Sequence, residues 1–280
     1  MRIAPSITQK IAKFMLFAAC ASAIAALLFV IGFVLVGGLQ NVTWAFLTEP
    51  ILDMGRGGGI LPAIVGTILM VFVAIGIAAP LGVASAIYLA EYTLEGKATQ
   101  TIRFGINCLA GVPSIIFGLF GFILFVVIMG FGWSILSGGL SLAAMILPTV
   151  IRTAEEALRS VPQNYRDVAA SLGATRWQVV TRAVLPYALP GILTGVILGI
   201  GRSIEETAVV IFTAGSAVQM PTSLFDSART MAVHFYILAR EGVSNENAYA
   251  TASILILTIL IINITAYTMM HRLMRGRRAA

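Results

Sequence analysis

Charge is scarce in this sequence. Of its 280 residues only 11% are Asp, Glu, Lys or Arg, against 59% hydrophobic. Soluble domains carry roughly 25% charged and 45–50% apolar residues. A water-soluble globule of this composition could not cover its surface, so soluble, disordered and collagen-like classes are excluded. Cysteine is scarce too. Cys20 and Cys108 lie in apolar runs, with neither a disulfide framework nor a metal-ligand spacing. The two histidines, His234 and His271, are far apart, and H-E-x-x-H and G-x-S-x-G motifs are missing. A membrane-embedded enzyme is thereby left without a catalytic constellation. There is no G-x-x-x-x-G-K-[ST] phosphate loop, no repeat of 20–50 residues and no low-complexity tract. What remains is an all-α polytopic membrane protein.

A span needs roughly 20 apolar residues. Six runs qualify or nearly qualify: Phe14–Val36, Ile60–Tyr92, Phe104–Gly130, Ile135–Ile151, Tyr187–Ala214 and Ala248–Met270. The first has 23 residues. That exceeds a signal-peptide core of about 7–15, and it reads as a retained helix. The net charge of +6 concerns orientation rather than nucleic acid. Six spans place both termini on one side, which receives Arg2, Lys10, Lys13, Lys97, Arg103, Arg152, Arg159, Arg166, Arg176, Arg182, Arg272, Arg275, Arg277 and Arg278. These are 14 of the 18 basic residues. The opposite side receives Arg56, Arg229 and Arg240, and Arg202 stays within a span. By the positive-inside rule the termini are cytoplasmic. The chain reads as one domain over 1–280: an N-terminal helix and outer loop over 1–56, then a five-helix core over 57–272.

Residues 152–186 leave the membrane on the cytoplasmic side. Pro162 suits the first turn of a helix. Tyr165, Val168, Ala169 and Leu172 follow at i, i+3, i+4 and i+7, one apolar stripe. Gly173 is a C-terminal stop. Thr175 and Gln178 have the capping-box spacing for a second short helix. The stripe fits either a helix lying on lipid or one docking into a protein groove. Arg166 and Asp167 beside it make the helix mixed in charge and favour the groove.

Arg202, Glu205 and Glu206 interrupt the fifth run. At 1.5 Å per residue, Arg202 is ~23 Å from Tyr187, near the bilayer midplane. A charge there costs at least ~2.5–3.5 kcal/mol, so the cluster must face protein or a water-filled path. Helical spacing allows Arg202 and Glu206 to pair at i, i+4. Such a pair could fix helix packing. It could also line a substrate path, in which a planar guanidinium matches an oxyanion and the carboxylate holds it when the path is empty. Glu205 faces either a partner helix or a site where burial keeps it protonated. Pro113 and Ser114 interrupt the third run; a packing kink and a path role for Ser114 both fit. Gly57-Gly58-Gly59 reads as a flexible lead into the second span. Residues 215–247 read as an outer segment with a short helix capped by Thr222 or Ser223, either closing the outer mouth or meeting an extracytoplasmic protein.

Asp167-Val168-Ala169, then Gly173, then Leu185-Pro186 resembles the Glu-Ala-Ala loop of ABC-importer permeases, with Asp167 in the Glu position and Val168 in the first Ala position. The segments GGGILPAIVGTILMVFVAIGIAAPLGVASAIYLAEY (57–92), GVPSIIFGLFG (111–121) and GRSIEETAVVIFTAG (201–215) are similar to phosphate permeases of that family. In the last, Arg202, Glu206 and Thr207 match the family motif and Glu205 replaces a glycine. The resemblance implies a type I importer permease fold in a bacterial or archaeal cytoplasmic membrane, importing inorganic phosphate. It also implies that Asp167 and Gly173 contact a separate ATPase subunit, which would hold ATP and magnesium in place of any cofactor in this chain. The expected partners are that ATPase, a second homologous permease, an extracytoplasmic phosphate-binding protein and membrane lipid. Another oxyanion (sulfate, molybdate, phosphonate) would satisfy the same electrostatics. An ion-coupled secondary transporter would explain the intramembrane carboxylates, but such folds commonly carry inverted repeats, and none is visible here.

Overall fold

The computed structural model describes residues 5–278, so Arg2 of the basic count lies outside the described residues. Helices α1 (Pro5–Leu39) and α2 (Trp44–Thr48) lead to a two-stranded hairpin, β1 (Ile51–Leu52) against β2 (Gly57–Gly58). Helix α3 (Leu61–Ile87) runs on through a π-helical turn, Tyr88–Tyr92. Next come α4 (Lys97–Ala110), α5 (Ser114–Gly121, continued as π-helix over Phe122–Ile128) and α6 (Ile135–Arg159). After these lie α7 (Gln163–Ser171), α8 (Arg176–Gln178, running through π-helical Val179–Val184) and α9 (Leu185–Glu205). Three more helices complete the chain: α10 (Ala208–Thr213), α11 (Met231–Arg240) and α12 (Asn245–Arg278).

Among the described residues five helices are long and apolar enough to cross a membrane, and six crossings result if the bent pair α4 and α5 counts as one. The centre is α3, α6 and α9. Met70, Ala74, Ala78, Leu142, Met145 and Ile146 form the main buried cluster between α3 and α6. Small residues bring α9 onto α6, the close-packing device of membrane helices. A Cβ on Gly191 would lie 2.5 Å from the Ala157 side chain, and one on Gly195 would collide with Thr153 Oγ1. Helix α1 stands at the periphery, largely exposed, and packs chiefly against α12, where Ser253 Oγ donates to Val34 O at 3.1 Å.

The structure corrects the expectations for two apolar runs and for the glycine triplet. The third apolar run is not one helix: α4 and α5 meet at 97° across Gly111-Val112-Pro113. Pro113 starts α5 rather than kinking a continuous helix, and α4 is amphipathic, with Ile102, Ile106 and Leu109 on one face. The fifth run also breaks, at Glu206, where ψ reaches 128° before α10 begins. The glycine triplet is not a flexible lead-in. A Cβ on Gly59 would lie 2.6–2.8 Å from the carbonyls of Phe46, Glu49 and Ala45, so these glycines permit tight backbone packing.

The segment before α11 is capped by Thr230, whose Oγ1 accepts the amide of Val233 at 3.3 Å, and not by Thr222 or Ser223. Those two residues bind Asp226 instead, which accepts both their amides and the Thr222 hydroxyl. His234 is fully buried in α11. Arg229 donates to its Nδ1 at 3.2 Å, which places the ring proton on Nε2. Burial and then the Arg229 charge push the His234 pKa down to about 4 from 6.5. The unfolded chain therefore binds a proton between pH 6.5 and 4 that the folded chain refuses. Stability from this site is fully present above pH 6.5 and is lost as pH falls towards 4. Melting of the purified protein between pH 7 and 4.5 should show this loss, and His234→Gln should flatten the slope.

Candidate translocation site and coupling surface

Gly199 sits midway along α3 and α6: a Cβ there would touch Ile75, Ile146 and Val150 at 3.5–3.6 Å. Arg202 is one turn further on, so it lies near the middle of the bundle. The buried face of α9 comprises Ala188, Ile192, Gly195, Gly199 and Ser203. Arg202 lies to one side of that face, with half-exposed Leu198 and with Gly201, where an added Cβ would meet nothing within 4 Å. Arg202 is half-buried and makes no ion pair with any described residue.

The expected i, i+4 pairing with Glu206 does not form, because Glu206 is already outside the helix. Its carboxylate instead accepts the amides of Ala208 (3.2 Å) and Val209 (3.4 Å) at the start of α10. That is a capping interaction, in which a negative group satisfies orphan N–H donors and the positive end of a helix. Thr207 donates to Glu205 O at 3.4 Å across the same break. Glu205, three residues from Arg202, is exposed and shares the open face with it.

Helix α5 packs on α10. Gly118 approaches Ala208 and Val209, and Gly121 approaches Thr213 and Ser141. Carried back one turn, this parallel register brings Ser114, half-buried at the start of α5, level with the break at 205–207. Two helix interruptions therefore lie side by side at mid-bundle. Irregular backbone at membrane depth is tolerated only where protein or a water-filled cavity satisfies it.

At one end of the bundle α6 runs on to Arg159, past the end of the fourth apolar run, and Arg176–Val184 leads helically into α9; between them the turn elements expected within 152–186 form. Gly173 adopts φ +81°. The Gly173 amide bonds Ala170 O (2.9 Å) and the Ala174 amide bonds Ala169 O (3.1 Å), the double bond of a Schellman stop. Thr175 and Gln178 complete a capping box, with bonds of 3.3 and 2.9 Å. Val168 and Leu172 are 62% and 84% exposed on α7, and Asp167 is exposed beside them. Ala169, Leu172, Gly173, Ala174, Gln178, Arg182 and Ala183 line a shallow groove of about 410 Å³. Tyr165 departs from the stripe: its ring lies 4.4 Å from that of Tyr187, so it faces the start of α9. Hydrogen bonding to Tyr187 pushes its phenol pKa up.

The sequence reading missed Glu91 and Arg166 as partners. Arg166 Nη2 and Nε bind the two Glu91 carboxylate oxygens at 2.6 and 3.1 Å, and both side chains are mostly buried. These residues are 75 apart in sequence. Buried opposite charges at the ends of two segments were the available signal, but nothing local links them.

The profile of the family described as "Binding-protein-dependent transport system inner membrane component" matches residues 78–279. The probable ABC transporter permease protein YqgI of Bacillus subtilis is 33% identical over 93% of this chain and 94% of its own length. The phosphate transport system permease protein PstA 1 of Mycobacterium tuberculosis is 34% identical over 84% of this chain and 77% of its own. Among solved structures, a bacterial alginate ABC transporter superposes with a TM-score of 0.68 at 16% identity, covering 94% of this chain and 96% of that one. A bundle of long apolar helices and these matches agree: the chain belongs to the binding-protein-dependent transport system inner membrane components, as a permease subunit of an ABC transporter.

Proposed function

We propose that this chain is the PstA-type permease of a phosphate importer, forming half of the translocation path with a second, homologous permease. The observation that carries this reading is Arg202: a half-buried guanidinium at mid-bundle, without an ion pair among the described residues, beside the open side of α9 that carries Leu198, Gly201 and Glu205. Lipid contact would cost it several kcal/mol. A second permease across that face would enclose it in a water-filled path. There its planar fork suits the oxygens of inorganic phosphate. Glu205, not Glu206, is the carboxylate on that side of α9. Ser114 and the Thr207 break complete the path wall.

The second half of the reading concerns drive. Val168, Leu172 and Gly173 with Asp167 present an apolar ridge and one carboxylate to a groove on an ATPase subunit. That subunit binds ATP and magnesium, and an extracytoplasmic phosphate-binding protein delivers substrate at the opposite end, near α11. The concentration of basic residues at the α7 end makes that end, and both termini, cytoplasmic.

Phosphate selectivity is tested in proteoliposomes holding the whole complex with its binding protein. ATP-dependent uptake of labelled phosphate should be competed by unlabelled phosphate and resist a hundredfold excess of sulfate or molybdate. Equal competition by sulfate overturns phosphate as the substrate and leaves an oxyanion permease. Uptake by this chain without any ATPase would overturn the importer reading itself.

A further inference from the structure

We propose that Arg166 and Glu91 are positioning residues that make the coupling helix α7, the end of α6 and the π-helical turn of α3 one rigid unit, so that a push on α7 turns α3. This rests on α7 being the ATPase docking helix.

Arg166 uses one guanidinium to join three elements. Beyond the two bonds to Glu91, its Nη1 donates to Val161 O at 2.8 Å and its Nη2 to Leu158 O at 2.9 Å. Those carbonyls lie at and just beyond the C-terminal end of α6, where the helix dipole makes a cation favourable. Arg166 thus ties α7 to α6 through backbone and to α3 through a forked ion pair. A fork resists rotation in a way a single-point lysine contact does not.

Glu91 belongs to the π-helical turn Tyr88–Tyr92. Such turns are rare and concentrate at functional sites. A second arginine converges on the same turn. From α4, Arg103 Nη2 donates to Leu89 O at 3.2 Å, while its Nε binds Glu155 of α6 at 2.6 Å and its Nη1 binds Glu95 at 2.8 Å. Arg159 of α6 completes this network by bonding both Glu155 and Glu95. The turn is therefore held from α7 through its side chain and from α4 through its backbone. Helix α4 leads directly into α5, whose start is level with the break near Arg202. Movement of α7 has a continuous route through packed and ion-paired groups to both interruptions at mid-bundle. Tyr165 against Tyr187 supplies a second attachment of α7, to α9. It lacks the fixed geometry of the fork.

The test uses the whole reconstituted complex. Spin labels replace exposed Asn164 of α7 and Leu94 just after the α3 turn, in a Cys20→Ser, Cys108→Ser background. Their separation should be narrow and the same with and without ATP, and Arg166→Ala should broaden it. In the same preparations Arg166→Ala and Glu91→Gln should keep the ATPase co-purifying and hydrolysing ATP, while substrate moved per ATP falls about tenfold. The double variant should be no worse than the worse single change, and Arg166→Lys should restore part of the ratio. A separation that changes with ATP in the parent overturns the rigid unit, as does a narrow one in Arg166→Ala. Parental transport per ATP in Arg166→Ala, or losses that multiply in the double variant, overturn the positioning role. Should Arg166→Ala fail to accumulate, Glu91→Gln carries both readings. If the parent moves no phosphate, the phosphate reading has failed, and the distances still decide the rigid unit.

Discussion

Arg202→Ala should reduce phosphate uptake by the assembled complex about 100-fold. A charge-assisted hydrogen bond contributes about 1.5–3 kcal/mol, and a forked contact makes two of them. Arg202→Lys keeps the charge and loses the fork, so it should retain about a tenth of parental uptake. The variant chains should fold and assemble normally, because Arg202 contributes no ion pair among the described residues and lies off the packed face of α9. Initial uptake rates in proteoliposomes measure both, with co-purification of the ATPase as the assembly control. Parental uptake in both variants would remove Arg202 from the path. Glu206→Gln separates the two glutamates. It weakens the cap on α10 and should lower thermal stability more than it alters selectivity, whereas Glu205→Gln should act on uptake with little effect on melting.

Leu172→Asp should detach the ATPase. Leu172 is 84% exposed in this chain, so its replacement costs the permease little. Burying a leucine in a partner's groove contributes about 1.5–3 kcal/mol. Placing a carboxylate there adds the cost of burying an unpaired charge. The two together predict at least a 100-fold loss of affinity, read as loss of the ATPase from the purified complex and of stimulated ATP hydrolysis. Gly173→Val should act in the same direction by another route. A β-branched residue at φ +81° strains the stop of α7 and misplaces its ridge. If the ATPase still co-purifies with Leu172→Asp, α7 is an interfacial helix resting on lipid.

Features that depend on neighbours in sequence were legible. The apolar runs gave the spanning helices, because a helix in lipid satisfies its own backbone whatever surrounds it. The stop of α7 and the start of α8 were readable, since Gly173 acts through its own φ and Thr175 with Gln178 through a three-residue reach. The same local logic misled at Glu206. Extrapolating an unbroken helix made Arg202 and Glu206 partners, whereas the carboxylate ends one helix and caps the next. It misled again at Gly111–Pro113, where a continuous apolar run conceals a right-angled turn.

By itself the sequence determined that this is a helical membrane protein with one polar, helix-forming loop and a charge cluster inside an apolar run. Each of those properties is a sum or a period along the chain. Only the tertiary structure decided which charges act together. Arg166 finds Glu91 across 75 residues and Arg103 finds Glu155 across 52. Arg202, close in sequence to two carboxylates, pairs with none among the described residues. Pairing over such separations is set by where α3, α4, α6 and α7 pack against one another, and residues so far apart in the chain share no local pattern.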